Sequence, residues 1–191
     1  MRLQHTPDQT QFAQWLLDIG HGCNMDDRGN VQLPQSMITY HEQDLINQIY
    51  GDICNAPCLP PPEYFLHHAI LAPRNSDVEQ TNQKILDNLP GQELTYHSAD
   101  SVENGPNAHD NVPEDFLRSL RPSSLPLSQL KVKIGCPLML LRNLDPKKGL
   151  CNGTRMVLLC AYPRILEVSI IGSDHNGEKA FIPRITLKPT L

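Results

Sequence analysis

The residues of this chain best suited to chemistry are the cations between positions 131 and 155. Six lysines and arginines lie in this stretch, with Asp145 as its one acid; they are Lys131, Lys133, Arg142, Lys147, Lys148 and Arg155. Ammonium and guanidinium groups neutralise phosphates, and a cluster of them is typical of a nucleic-acid-binding surface. Lysines on a loop are also often simply solvated, so the residue types leave both interpretations open.

Two apolar runs, residues 138–141 and 156–160, flank the centre of this cationic stretch. The polar residues between them are rich in turn formers, namely Asn143, Asp145, Pro146, Gly149, Asn152 and Gly153. This pattern predicts a strand, a long basic loop and a second strand. The simplest structure is a small antiparallel unit with a cationic rim.

The same residues resemble a known family. Residues 140–146, Leu-Leu-Arg-Asn-Leu-Asp-Pro, and residues 149–155, Gly-Leu-Cys-Asn-Gly-Thr-Arg, are similar to the signature of the PIF-type (petite integration frequency) ATP-dependent DNA helicases, including the Helitron-like helicases. The resemblance implies a small SH3-like barrel inserted into the second RecA-like motor domain, beside the path of the single strand. It implies DNA contacts by four residues of the loop: Arg142, Lys147, Lys148 and Arg155.

A second resemblance to this family lies upstream. Residues 69–75, Ala-Ile-Leu-Ala-Pro-Arg-Asn, are similar to the start of the second motor domain, and residues 96–101 are similar to a stretch further along it. Arg74 and Asn75 follow an apolar run, where open α/β sheets commonly bind ligands. They are candidates for contact with DNA or nucleotide, and a turn or helix-cap role for Asn75 is the alternative.

The residues themselves predict a βαβ unit in this region. The continuous apolar run 69–72 predicts a strand buried on both faces, and residues 93–96 predict another. Between them, Ser76-x-x-Glu79 has the form of a capping box that begins a helix. Strand, helix and strand in about thirty residues favour parallel pairing of the two strands.

We therefore expect an α/β chain, α+β overall, in which a partial RecA-like βαβ unit precedes a small SH3-like β-barrel. Further β-rich runs at 165–171 and 179–187 complete the barrel, with Pro183 at an edge or bulge. Helices are predicted to begin near Pro7 and His41 and to end at Gly20 and Gly51. The expected domains are a helical N-terminal segment with a proline-rich connector (1–68), part of the second motor domain (69–113) and the SH3-like insertion (114–191).

The net charge of -5 conceals an asymmetry. Residues 1–117 hold 4 Lys and Arg against 17 Asp and Glu, a net of -13, whereas residues 118–191 hold 12 against 4, a net of +8. The basic part suggests an anionic partner, and packing of a basic face on the acidic part of the same chain is the alternative.

The six cysteines lack a paired spacing, which predicts reduced thiols, an intracellular protein and no metal site. Cys54 and Cys58 with His67 and His68 are an alternative zinc set, but the usual two-pair spacing is absent. No secretory segment or membrane span is predicted. The expected location is intracellular, nuclear or mitochondrial.

ATP hydrolysis requires a glycine-rich loop that ends in Gly-Lys-Ser/Thr, and the sequence contains no such loop. We therefore expect a fragment of a PIF-type helicase that contributes DNA contacts but binds no cofactor and hydrolyses no ATP by itself. ATP and magnesium are implied for the full-length family. Single-stranded DNA and the remainder of the helicase are the expected partners. The alternative is a standalone, non-catalytic nucleic-acid-binding remnant of a transposon-derived helicase.

Overall fold

A computed structural model describes residues 7–23, 25–54, 56, 58–100 and 128–187. The chain forms two compact units, Met1–Leu45 and Ile46–Leu191. The helices are α1 (Pro7–Gly20), α2 (Glu42–Cys54), α3 (Tyr64–His67) and α4 (Asn75–Asn88). The strands are β1 (Leu94–His97), β2 (Gln129–Val132), β3 (Pro137–Met139), β4 (Arg155–Ala161), β5 (Ile165–Ile171) and β6 (Lys179–Pro183). Within these described ranges, no helix is both long and apolar enough to cross a membrane.

The first two helices start close to their predicted positions, but the second continues further. α1 runs from Pro7 to Gly20, as predicted. α2 continues through Gly51 to Cys54, so the predicted stop is wrong. The reason is Ile53, which is 2% exposed and joins the core. Burial of an isoleucine is worth about 1.5–3 kcal/mol, which outweighs the roughly 1 kcal/mol that a glycine costs inside a helix.

α4 confirms the predicted helix and its inward face, on which Thr81 and Leu89 are buried. The predicted capping box is wrong. The helix starts at Asn75, Arg74 is its N-cap without a side-chain hydrogen bond, and the Ser76 hydroxyl donates to the Asp77 carboxylate at 3.2 Å.

The predicted βαβ unit is not formed. Residues 69–72 form no strand, and Leu71 is 93% exposed. β1 does lie at the predicted second strand, but it pairs antiparallel with β2, so that Leu94 lies opposite Val132. A strand that is buried on both faces needs neighbours, and here the partner of β1 comes from the C-terminal half of the chain.

The C-terminal strands form an antiparallel meander in the order β3-β4-β5-β6. A bulge between Leu158 and Cys160 interrupts the register of β4 with β5. β3 and β6 are the edges, so Pro183 at the end of β6 lies on an edge strand, as predicted. The predicted SH3-like barrel is not confirmed, because the sheets described here do not close into a barrel.

One apolar core joins the helices and sheets of the unit Ile46–Leu191. The two long strands of the meander, β4 and β5, each bury consecutive residues and so contribute both faces, including Leu158, Val168 and Ile170 at 0–1% exposure. α3 contributes Phe65, and β2 contributes Val132. The basic stretch is therefore carried by a packed scaffold, whose strands fix where its loop emerges.

Candidate nucleic-acid interface

The basic loop is the connection between β3 and β4, residues 140–154. Its base is closed by the Leu140 N–H, which donates to the Thr154 carbonyl at 2.9 Å. Further out, Asp145 and Leu150 form an isolated antiparallel bridge. Leu150 is buried, so apolar packing anchors the outer part of the loop as well. The predicted strand, basic loop and strand are confirmed.

Side-chain hydrogen bonds brace the loop from within. The Thr154 hydroxyl donates to the Gly149 carbonyl at 2.7 Å and accepts from the Cys151 N–H at 3.1 Å. Across the loop, the Asn143 side-chain oxygen accepts from the Asn152 N–H at 2.7 Å. These bonds satisfy backbone groups that a long connection otherwise leaves to water, so the loop has a defined shape.

The tip of the loop presents two lysines to solvent. A 3-10 turn, Pro146–Lys148, begins with proline and is closed by the Lys148 N–H, which donates to the Asp145 carbonyl at 3.0 Å. Lys147 and Lys148 are exposed. The Lys148 ammonium lies 3.6 Å from the Asp145 carboxylate, and its side chain is 78% exposed. Such a surface pair is weak, so the ammonium can exchange this contact for a phosphate.

His175, from the turn between β5 and β6, packs against the end of this 3-10 turn. Gly149 has φ 71°, and a Cβ added there would lie 2.5 Å from the His175 ring. The ring Nδ1 lies 3.1 Å from a Glu178 carboxylate oxygen. The left-handed glycine and the imidazole therefore fit together and position the residues that follow the lysines.

Arg155, the last cation of the predicted set on the loop, is turned inward. Its guanidinium donates to the carbonyls of Phe65 and, at 3.4 Å, Leu66 in the short helix α3. Planar guanidinium groups suit two adjacent acceptors. Arg155 therefore fastens the start of β4 to α3 through two of its guanidinium donors.

Replacing Arg155 with methionine should lower the free energy of unfolding by about 1–2 kcal/mol, because two carbonyls lose a charged donor. Urea unfolding measures the loss. The salt dependence of DNA binding should stay that of the wild type. A variant that keeps its stability but binds DNA with a shallower salt dependence would instead make Arg155 a phosphate contact.

The remaining predicted residues occupy two separate places in the chain. Arg142 is half-buried in the basic loop and has an interaction partner. Arg74 and Asn75 are exposed at the N-terminal end of α4. Asn75 is the first residue of that helix, and the N-cap position belongs to Arg74.

Lys133 has a structural role inside the chain. The sequence analysis did not detect this role, because it assigned Lys133 to the cationic rim. It is 7% exposed, and its ammonium donates to the carbonyls of Leu89 at 2.7 Å and Asp87 at 3.2 Å. These carbonyls end α4, where the helix dipole favours a cation. The neighbouring Lys131 instead pairs with Glu93 at 3.6 Å. Two cations of the stretch thus bind to the acidic half of the chain, whereas Lys148 pairs within its own loop.

The described residues hold no group of three or more His, Cys, Asp or Glu side chains arranged for a metal ion. Cys23, Cys58, Cys136, Cys151 and Cys160 are free thiols. Burial raises the pKa of the Cys136 thiol, which keeps it protonated and unreactive.

Comparison with known proteins shows which proteins this loop resembles. Residues 115–159 match the model of the DNA helicase Pif1, 2B domain. The chain is 33% identical over 94 residues to the ATP-dependent DNA helicase PIF1 of Danio rerio and 34% identical over 90 residues to that of Homo sapiens. These alignments cover 49% and 47% of this chain, and 13% and 12% of the relatives. The chain thus matches a small part of the length of its curated relatives.

Solved structures of Pif1 helicases also resemble the chain. The Pif1 helicase from Candida albicans matches with a TM-score of 0.48 and 18% identity, over 91% of this chain and 37% of that one. The Bacteroides Pif1 helicase in complex with ADP-AlF3 and ssDNA matches with a TM-score of 0.46 and 17% identity, over 94% and 32%.

The sequence matches relate the chain to one class of protein, the PIF-type DNA helicases. The residues that match the 2B domain, 115–159, include β2, β3, the basic loop and most of β4.

Proposed function

We propose that this chain provides DNA contacts to a PIF-type ATP-dependent DNA helicase through the basic loop of its 2B domain. The observation that carries the proposal is the tip of the loop, where Lys147 and Lys148 are exposed on a turn held by backbone and side-chain hydrogen bonds. Because the backbone of this turn already has a defined shape, it presents the two lysine side chains to phosphates without first being ordered, which lowers the entropic cost of binding.

Single-stranded DNA is the partner that we propose. The Bacteroides Pif1 helicase was solved in complex with ssDNA. Because the sequence of the loop resembles that of the Pif1 helicases, we propose the same partner for this chain. Lysines on a surface turn recognise negative charge and not the base sequence, so they should contact the phosphates of the DNA backbone. In this proposal the meander corresponds to the SH3-like insertion, and Arg142 and Arg74 lie outside the central contact.

ATP and magnesium do not fit the residues of this chain. The sequence has no Gly-Lys-Ser/Thr loop for a triphosphate, and the part of the chain that the structure describes holds no metal-ligating cluster. In the proposed function the nucleotide chemistry belongs to the rest of a whole helicase, and this segment contributes to holding the strand.

Reversing both lysines, K147E/K148E, should weaken binding to a thymidine oligonucleotide about tenfold at low salt. Fluorescence anisotropy across a salt series gives the slope of log K against log [salt]. Because each contact to a single strand contributes roughly 0.7 to this slope, the loss of two contacts should reduce it by about 1.4.

The matched control is R28E/K84E, which makes the same change in net charge at two exposed positions outside the meander. Its affinity should stay within about twofold of the wild type, since this variant changes the net charge equally but keeps both lysines of the basic loop. Equal losses in the two double variants, or wild-type binding by K147E/K148E, would remove the basic loop from the interface.

A further inference from the structure

A groove of about 520 Å³ lies beside the turn between β4 and β5, on the face of the meander that points away from the core. It is lined by Tyr162, Pro163, Arg164, Ile165, Glu167 and Phe181. Alternation along β6 explains this arrangement, because Ala180 and Ile182 pack on the core while Phe181 faces outward.

Two aromatic residues that line this groove are exposed to solvent. Phe181 is 60% exposed and Tyr162 is 50% exposed. Phe181 lies directly opposite Glu167 across the β5–β6 ladder, and β6 is an edge strand, so one side of the Phe181 position has no neighbour among the described strands. Exposed aromatic side chains on a rigid sheet are the elements on which single-stranded nucleic acids stack their bases.

The backbone holds Tyr162 in place from two sides. Its N–H donates to the Ile165 carbonyl at 2.9 Å, which closes the turn, and its carbonyl accepts from the Tyr96 hydroxyl at 3.0 Å. The Cys160 side chain, and then the Glu167 carboxylate, raise the pKa of the Tyr162 hydroxyl. The ring is therefore a neutral phenol at physiological pH.

The charges around the groove favour an anionic ligand. The Lys179 ammonium donates to the Glu167 carboxylate at 3.0 Å, and the Glu167 side chain is only 15% exposed, so this acid is neutralised and covered. The hydrogen bond and charge of Glu167 also raise the pKa of Lys179. Among the lining residues, Arg164 remains as an exposed cation beside the two rings.

From this geometry we propose that the groove binds an unpaired base of single-stranded DNA, which stacks on Phe181 and Tyr162 while Arg164 contacts the adjacent phosphate. The inference rests on the proposed function and adds a base-stacking site to the phosphate contacts of the basic loop. Stacking on aromatic rings tolerates any base, so the site should grip the strand without sequence preference.

The test compares F181L with F181W in the full chain, using a thymidine oligonucleotide and an abasic strand of the same length and charge. F181L keeps an apolar side chain but removes the ring, and it should weaken thymidine binding about five- to tenfold. F181W should bind at least as tightly as the wild type. The wild type should bind the abasic strand about five- to tenfold more weakly than the thymidine strand, and F181L should change abasic binding by less than about twofold.

The results also separate the groove from the basic loop. If F181L binds thymidine normally while K147E/K148E does not, the groove proposal is overturned and the function of the loop stands. If the wild type binds neither strand, both fall. Aromatic grooves also accept proline-rich peptides. A proline-rich peptide that binds the wild type but not F181L, with DNA affinity unchanged, overturns the nucleobase assignment in favour of a protein partner.

Discussion

Replacing Lys133 with methionine should lower the free energy of unfolding by about 2–4 kcal/mol. Its ammonium donates to two carbonyls at the end of α4 from a position that is 7% exposed. Hydrogen bonds from a charged group are worth about 1.5–3 kcal/mol, and carbonyls left without a donor in the interior add a desolvation penalty. Methionine keeps most of the volume of the lysine stem. The loss of stability should therefore measure the contribution of the ammonium group and not the effect of a cavity.

Lys131 provides a matched control for this variant. It lies two residues earlier, and its ion pair with Glu93 at 3.6 Å joins side chains that are 36% and 31% exposed. Exposed pairs contribute about 0–1 kcal/mol, so K131M should cost far less than K133M. Urea unfolding gives both values from the midpoint at constant slope. Similar losses for the two variants would show that Lys133 stabilises the chain only through its general charge.

The role of Lys133 matters for the site because of what α4 carries. This helix has 14 residues and is therefore about 21 Å long, with Arg74 and Asn75 at the end opposite Lys133. Lys133 ties the C-terminal end of α4 to the segment between β2 and β3, and Arg155 ties α3 to β4. Two residues predicted to belong to one cationic surface thus fasten helices to other parts of the same core.

Local sequence patterns predict the basic loop well. The turn formers between residues 138 and 160 and the apolar runs on either side specify a hairpin through interactions that are close along the chain. Lys147 and Lys148 accordingly lie at its tip. The same patterns could not separate Lys133 or Arg155 from the solvated cations, because their acceptors lie 44 to 46 and 89 to 90 residues away.

The strand predicted at residues 69–72 failed for a related reason. A continuous apolar run indicates burial but does not supply the neighbouring strands, and Leu71 remains 93% exposed.

The groove of Tyr162 and Phe181 was also not predicted from the sequence. A signal was present in residues 179–183, where the alternation of Ala180 and Ile182 inward places a phenylalanine on the outer face.

Replacing Gly149 with alanine should cost about 2–3 kcal/mol and weaken the DNA binding that we propose for the basic loop. The residue has φ 71°, which costs a side chain roughly 1 kcal/mol, and the new Cβ would meet the His175 ring at 2.5 Å. Overpacking of this kind typically adds about 1–3 kcal/mol. Since Gly149 follows the 3-10 turn directly, the displacement should reach Lys147 and Lys148.

Replacing Gly153 in the same loop with alanine distinguishes the effect of backbone strain from the effect of the clash with His175. It has φ 89°, and a Cβ added there has no neighbour within 4 Å, so G153A should show the strain alone, about 1 kcal/mol. Adding H175A to G149A removes the ring and should bring the loss close to that of G153A. Urea unfolding and oligonucleotide affinity should change together across the three variants. If G149A and G153A behave alike, His175 does not position the loop, and the lysines depend on the turn alone.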